Sequence, residues 1–223
     1  MLSLVVLGGL GLGASAQQVK YGFKAGISST TFKGSESESS GDDISRNLSF
    51  YGGVTADIPA GDILSIQPGL LFIGKGSKTK DVYVSDNVQY SAKGVGTVNP
   101  FYIELPVNFL VNIRSKTGKL FVGAGPYVAV GVAGKIKFKG TLVAENRSND
   151  VKTSENIVFG DKPGSHLKFG DAGVNFLGGY ELTNGFNIHG GYSLGLNSIS
   201  YSDPEGFKTM NRGFTAGIGY SFK

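Results

Sequence analysis

His166, His189 and Ser193 are the residues best equipped for chemistry, and the sequence gathers little around them. A nucleophilic triad needs serine, histidine and carboxylate in mutual contact. His189 and Ser193 are four residues apart, about 13 Å along an extended strand, and cannot touch. A zinc site asks for three or four nitrogen, sulfur or carboxylate ligands. With 2 histidines and 0 cysteines in the chain, no metal is expected. The run from Gly69 to Ser77 nearly spells a phosphate-binding loop, but Gly76 stands where Ser or Thr must follow Lys75 to hold magnesium. Its middle residues also read as strand. The glycine-rich stretches Gly123–Gly125 and Gly131–Gly134 lack the sixth-position glycine and following helix of a dinucleotide fold. The expectation is no cofactor and no enzyme.

The elements that would position these residues are strands. In the closing segment Phe214, Ala216, Ile218, Tyr220 and Phe222 share one parity, and Gly213, Thr215, Gly217, Gly219 and Ser221 the other. Successive strand residues point to opposite faces, so one face is greasy and the other small and polar. The same alternation marks residues 20–31, 47–58, 63–74, 101–113, 120–138, 166–181 and 186–197, giving eight strands with the last. Short connections at 59–62, 114–119 and 182–185 interleave with long ones at 33–46, 75–97, 139–165 and 198–210. Asn184-Gly185 is a strong hairpin signal. The pattern predicts an all-β, antiparallel, up-and-down transmembrane barrel with short periplasmic turns and long extracellular loops. A soluble up-and-down barrel has the same connectivity but puts its greasy face inward and charges outside. Here the other face is mostly Gly, Ser, Thr and Asn, which suits a narrow lumen. Tyr21, Tyr180, Phe186, Tyr220 and Phe222 near the short turns, and Phe50, Phe72, Phe101 and Phe214 near the other end, would form interfacial girdles.

That lumen is the candidate site. Lys24, Asp57, Gln67, Glu104, Asn108, Asn112, Asp171, Asn175, Asn187 and His189 take the polar parity of their strands. An eight-stranded interior is just wide enough for side chains to fill, and a charge there is costly unless paired. The expectation is a hydrogen-bonded plug with Lys24 neutralised by Glu104 or Asp57, so that Glu104→Ala destabilises the barrel or raises its conductance. Outside, Glu36, Glu38, Asp42 and Asp43 sit on the first long loop, and Lys75, Lys78 and Lys80 on the second. Lys135, Lys137 and Lys139 alternate with Ile136 and Phe138, an extracellular basic cluster on a strand projecting above the membrane. These lysines would pair with the acidic loop or meet the phosphates of surface glycolipid.

Composition sets the remaining bounds. The chain has 223 residues, enough for a single all-β domain, and Gly at 36 is roughly twice its usual share. The net charge of +4 is scattered rather than blocked, which disfavours nucleic acid as a partner. Residues 1–16 read as an export signal, an apolar run ending in Ala14-Ser15-Ala16, with the mature barrel over 17–223. No Lys or Arg precedes that run, so a start further upstream, or trimming, is expected. No later segment approaches 18 uninterrupted apolar residues.

The segments Val19–Gly26, Ile103–Val107, Gly123–Tyr127, Gly178–Leu182 and Gly219–Phe222 resemble the outer-membrane β-barrel proteins of the porin family, PorT-like, common in Bacteroidota. The resemblance covers 17–223 and implies residence in the bacterial outer membrane, with lipid, surface glycolipid and the barrel-insertion machinery as partners. Lys223 after Phe222 departs from the terminal aromatic which that machinery typically reads. The function expected is structural, or surface binding of an extracellular ligand through the long loops. A narrow porin is the first alternative, and a soluble periplasmic lipid-binding barrel the second.

Overall fold

Alternation is what the strands deliver, with the hydrophobic parity on the outside. The computed structural model describes residues 18–34, 44–85, 90–144, 147–201 and 208–222. The ten strands are β1 (Lys20–Gly34), β2 (Ile44–Pro59), β3 (Leu64–Gly74), β4 (Ser77–Ser85), β5 (Tyr90–Arg114), β6 (Gly118–Ala144), β7 (Arg147–Asn156), β8 (Gly170–Leu182), β9 (Phe186–Gly195) and β10 (Thr209–Ser221). Following the pairings β1–β2–β3–β5–β6–β8–β9–β10 returns to β1, so eight antiparallel strands close a barrel. Closure leaves no open edge in that ring.

Two departures from the sequence reading share a cause. β5 and β6 run for 25 and 27 residues and stay paired from Arg114↔Lys119 to Tyr90↔Ala144. A barrel strand crosses a bilayer in about 9–11 residues, so both overshoot the rim. Their upper edges are covered by β4 and β7, where long connections over 75–97 and 139–165 were expected. The result is a four-stranded blade rising from one side of the barrel. The sixth barrel strand begins at Gly170 rather than at 166, because His166–Phe169 belong to a cap over the lumen described below.

The opposite end is made of tight turns at 60–63, 115–117 and 183–185. Gly185 there has φ of 93°, a conformation that a side chain resists. The exterior wall is apolar: Tyr21, Phe23, Ile27, Phe50, Val54, Leu105, Phe109, Val128, Ile188, Phe214 and Ile218 are all exposed. An apolar surface wrapping a whole molecule is stable only against lipid. Aromatic clusters lie at both ends, with Phe23 joining Tyr220 and Phe222 and with Phe214 packed on Tyr192. Phe50, Phe72 and Phe101 pack together near the long-loop end, with Phe72 and Phe101 stacked 5.0 Å apart and Phe50 tilted against both. Phe23, Tyr220 and Phe222 cluster at the turn end.

Candidate functional site

The lumen is filled in layers. At the turn end the Lys119 ammonium reaches Asp57 Oδ2 at 2.8 Å and Glu181 Oε1 at 3.7 Å, and Ser221 donates to Glu181 at 2.9 Å. One layer up, Lys24 donates to Gln67 Oε1 at 2.6 Å. The expected pairing of Lys24 with Glu104 or Asp57 is therefore corrected. Asp57 is taken by Lys119, and Glu104 lies higher, engaged by a lysine assigned to a loop. Asn112 donates to Ser65 at 2.9 Å, and Asn108 is buried at the level of Gln67, its cross-strand partner.

Above Lys24, Tyr51, Gly26, Gly217 and His189 form one cross-strand row. Directly opposed residues share a face, so the two glycines leave a trough across which Tyr51 lies. Its hydroxyl meets His189 Nε2 at 2.6 Å, while Nδ1 meets Asn187 Oδ1 at 2.9 Å.

The next layer holds the main charge centre. Glu104, Ala129 and Asp171 form a second row on β5, β6 and β8. The small alanine leaves space between the two carboxylates, and Lys75 fills it. Its ammonium lies 2.7 Å from Glu104 Oε2 and 2.8 Å from Asp171 Oδ2. It also sits 3.9 Å from the centre of the Tyr127 ring, a desolvated cation–π contact. Asn211 and Tyr127 donate to Asp171, at 3.0 and 3.3 Å. Asn175 donates to Glu104 Oε1 at 2.9 Å and accepts from Ser193 at 2.7 Å. One cation faces two anions, and neutral donors carry the surplus negative charge.

Lys75 is the residue missed in the sequence. The sequence pattern places it on the second long loop with Lys78 and Lys80, yet it is 1% exposed. The chain dips inward between β3 and β4, its turn held by Lys75 N donating to Pro100 O at 2.9 Å. A Cβ on Gly76 would stand 2.4 Å from Val98 O, so glycine is required there. The Gly74-Lys75-Gly76 triplet, which nearly matched a phosphate loop, was the available signal.

An apolar cap closes the long-loop end. Ile157, Leu167 and Ile199 are buried together against Phe32, Val98, Ile136 and Phe159. Phe159 stands edge-on to Tyr102, 6.0 Å between rings, directly over the charge layer. His166 belongs here: its Nδ1 accepts from Val158 N at 2.9 Å and its Nε2 is 3.7 Å from Glu155. His166 and His189 thus sit apart, and among the described residues no group of three His, Cys, Asp or Glu side chains could hold a metal. Small cavities lie between the lumen side chains, about 10 Å³ beside Lys24 and Lys119 and about 60 Å³ beside Asn108 and His189, and a pocket of about 190 Å³ opens at the turn end beside Lys119, Glu181 and Ser221.

The basic cluster stands outside. β6 carries an extra residue at Val132, where Phe101↔Ala133 is followed by Tyr102↔Gly131. This bulge inverts the parity above it. Lys135, Lys137 and Lys139 are exposed there, on the outward face that Val128 and Val130 occupy below. Cross-strand pairing puts Lys78 and Lys152 on the same face, through Lys78↔Thr97↔Lys137 and Lys139↔Lys152. Glu36, Glu38, Asp42 and Asp43, the expected acidic counterpart, lie outside the described residues.

Residues 15–223 match a family described as outer membrane protein beta-barrel domain. No curated protein matches the chain in sequence. Among solved structures, Ail, the attachment invasion locus protein of Yersinia pestis, is 12% identical with a TM-score of 0.38, covering 91% of this chain and 98% of its own. Ail in complex with the heparin analogue sucrose octasulfate is 11% identical, TM-score 0.39, with coverages of 92% and 99%. Neisserial surface protein A is 10% identical, TM-score 0.37, with coverages of 92% and 100%.

Proposed function

The chain belongs to the outer membrane protein β-barrel domain family, and from that membership we propose a closed, non-enzymatic barrel that serves the cell surface through its projecting blade. The observation that carries this reading is the lumen. Salt bridges, a tyrosine–histidine contact and an apolar cap occupy successive levels of the interior, and the cavities among them hold about 10 and 60 Å³. Such a filled interior favours a closed barrel over the narrow porin. The greasy exterior sets aside the soluble lipid-binding barrel. What is left to act is the outer end, where β4, β5, β6 and β7 offer a paired sheet. In the same reading, residues 1–16 direct export and are removed, the insertion machinery assembles 17–223, and the chain is of the PorT-like type seen in Bacteroidota.

The test begins with residues 17–223 folded in detergent, comparing gel mobility before and after boiling. A heat-dependent shift, followed by silence in planar bilayers, is the expected result. Steady single-channel conductance would restore the porin, and a β-rich protein soluble in plain buffer would overturn the membrane barrel.

A further inference from the structure

Where the blade leaves the barrel, its outer surface and the lipid-facing wall enclose an open cleft of about 990 Å³. Its apolar residues, Leu48, Val95, Phe101 and Val132, continue the lipid-facing wall upward. Lys78, Lys135, Lys137 and Lys139 line the same cleft, and Lys152 stands opposite Lys139 on β7. Like charges directly opposite one another destabilise a sheet, so Lys139 facing Lys152 is a cost that local folding does not repay. Among the described residues none of these five ammonium groups has a carboxylate within ion-pair distance. Glu155, on β7, points to the other face, toward His166. The three β6 lysines are spaced about 7 Å apart along the strand.

We propose that this cleft binds a phosphorylated, acylated glycolipid of the outer leaflet, with the lysines on its phosphates and the apolar wall against its acyl chains. The proposal rests on the reading of the chain as a membrane barrel and names the chemistry its blade recognises. Both parts of the ligand are fixed by position. Leu48, Phe101 and Val132 lie at the upper limit of the lipid-facing wall, at the Phe50, Phe72 and Phe101 girdle; the lysines begin directly above them, and Val95 carries the apolar surface up to the level of Lys139. A soluble polyanion would have no use for the apolar floor, and a neutral lipid none for the lysines. Asn99, which accepts from Asn47 at 2.8 Å, and Asn156 add polar groups at the boundary between the two zones.

The experiment uses the folded barrel in detergent, first checked for its heat-dependent gel shift. Binding of diphosphorylated lipid A and of the same lipid after phosphatase treatment is then measured by native mass spectrometry. The expected result is at least tenfold preference for the phosphorylated lipid, lost in the Lys135→Ala/Lys137→Ala/Lys139→Ala variant and kept in Lys116→Ala at the turn end. A single Lys137→Glu variant serves if the triple one does not fold. Equal binding of both lipids, or an undiminished preference in the variants, would overturn the proposal while leaving the barrel reading intact. Competition by millimolar inorganic phosphate would also overturn it, since the site would then take a free anion. Absence of the gel shift would bring down the barrel reading itself and the proposal with it.

Discussion

Tyr51 and His189 lie on strands separated by two others, yet the Tyr51 hydroxyl is 2.6 Å from His189 Nε2. Gly26 and Gly217 make this possible, for a Cβ on Gly26 would stand 2.8 Å from the Tyr51 ring and one on Gly217 2.4 Å from its hydroxyl. Gly217→Val is therefore expected to evict the ring and to lower the urea midpoint for unfolding from vesicles. Tyr51→Phe, which keeps the ring and removes one hydrogen bond, should cost only about 1 kcal/mol. Equal losses in the two variants would mean that the trough is not what seats the tyrosine.

The Lys75 centre predicts an order of damage set by the charge left unpaired and by the space between the two carboxylates. Lys75→Met leaves Glu104 and Asp171 buried and unneutralised, and breaking a buried pair in this way costs about 3–5 kcal/mol. Glu104→Gln leaves Lys75 paired with Asp171 at net zero and keeps an acceptor for Asn175, so it should cost much less. Ala129→Leu would fill the space between the carboxylates and should resemble Lys75→Met. Equilibrium unfolding monitored by tyrosine fluorescence ranks the variants, and a Glu104→Gln loss as large as that of Lys75→Met would refute the scheme.

The cap predicts a change in accessibility. A Cβ on Gly131 would stand 2.2 Å from the Phe159 ring, which is wedged over Tyr102. In Gly131→Val the ring must leave, carrying residues 157–169 with it. Brief trypsin treatment of the folded barrel should then cut after Lys168 faster than in the parent, while the heat-dependent gel shift persists. Unchanged cleavage would show that the cap does not depend on that contact.

The barrel was legible because strand alternation is local: parity alone separates Phe23 from Lys24 and Phe109 from Asn108. Parity also placed Glu104, Asp171 and His189 inside, where the structure has the first two buried and the third against Tyr51. What could not be read depends on partners distant in sequence. Lys24 meets Gln67 43 residues away, and Lys75 meets Asp171 96 residues away. Such pairings follow from register and from the inward dip at Gly74-Lys75-Gly76, neither of which has a sequence period. The bulge at Val132 is similar, since one unpaired residue decides which way Lys135, Lys137 and Lys139 face. Of the blade, the alternation of Lys135, Lys137 and Lys139 revealed only the projecting strand, and the rest was hidden for another reason. Polar alternation such as Lys152-Thr153-Ser154 matches a solvated loop as well as a strand wet on one side.

The greasy exterior predicts a dependence on depth that no soluble barrel shares. On β5, Val107 is midway along the segment from Phe101 to Ile113, and both Val107 and Ile113 face outward, 38% and 57% exposed. An arginine on the lipid face costs about 2–4 kcal/mol at the bilayer midplane and about 0–1 kcal/mol near an interface. Val107→Arg should thus destabilise the vesicle-inserted barrel by several times more than Ile113→Arg, even though Ile113 is the more exposed. For a sheet whose outer face met water, both substitutions would be nearly neutral, since surface changes there usually fall within about 0.5 kcal/mol. Unfolding in vesicles of short and long acyl chains adds a second axis. In thicker bilayers the interfacial penalty at Ile113 should grow toward that at Val107, because the position moves deeper into hydrocarbon as the barrel adjusts to the mismatch.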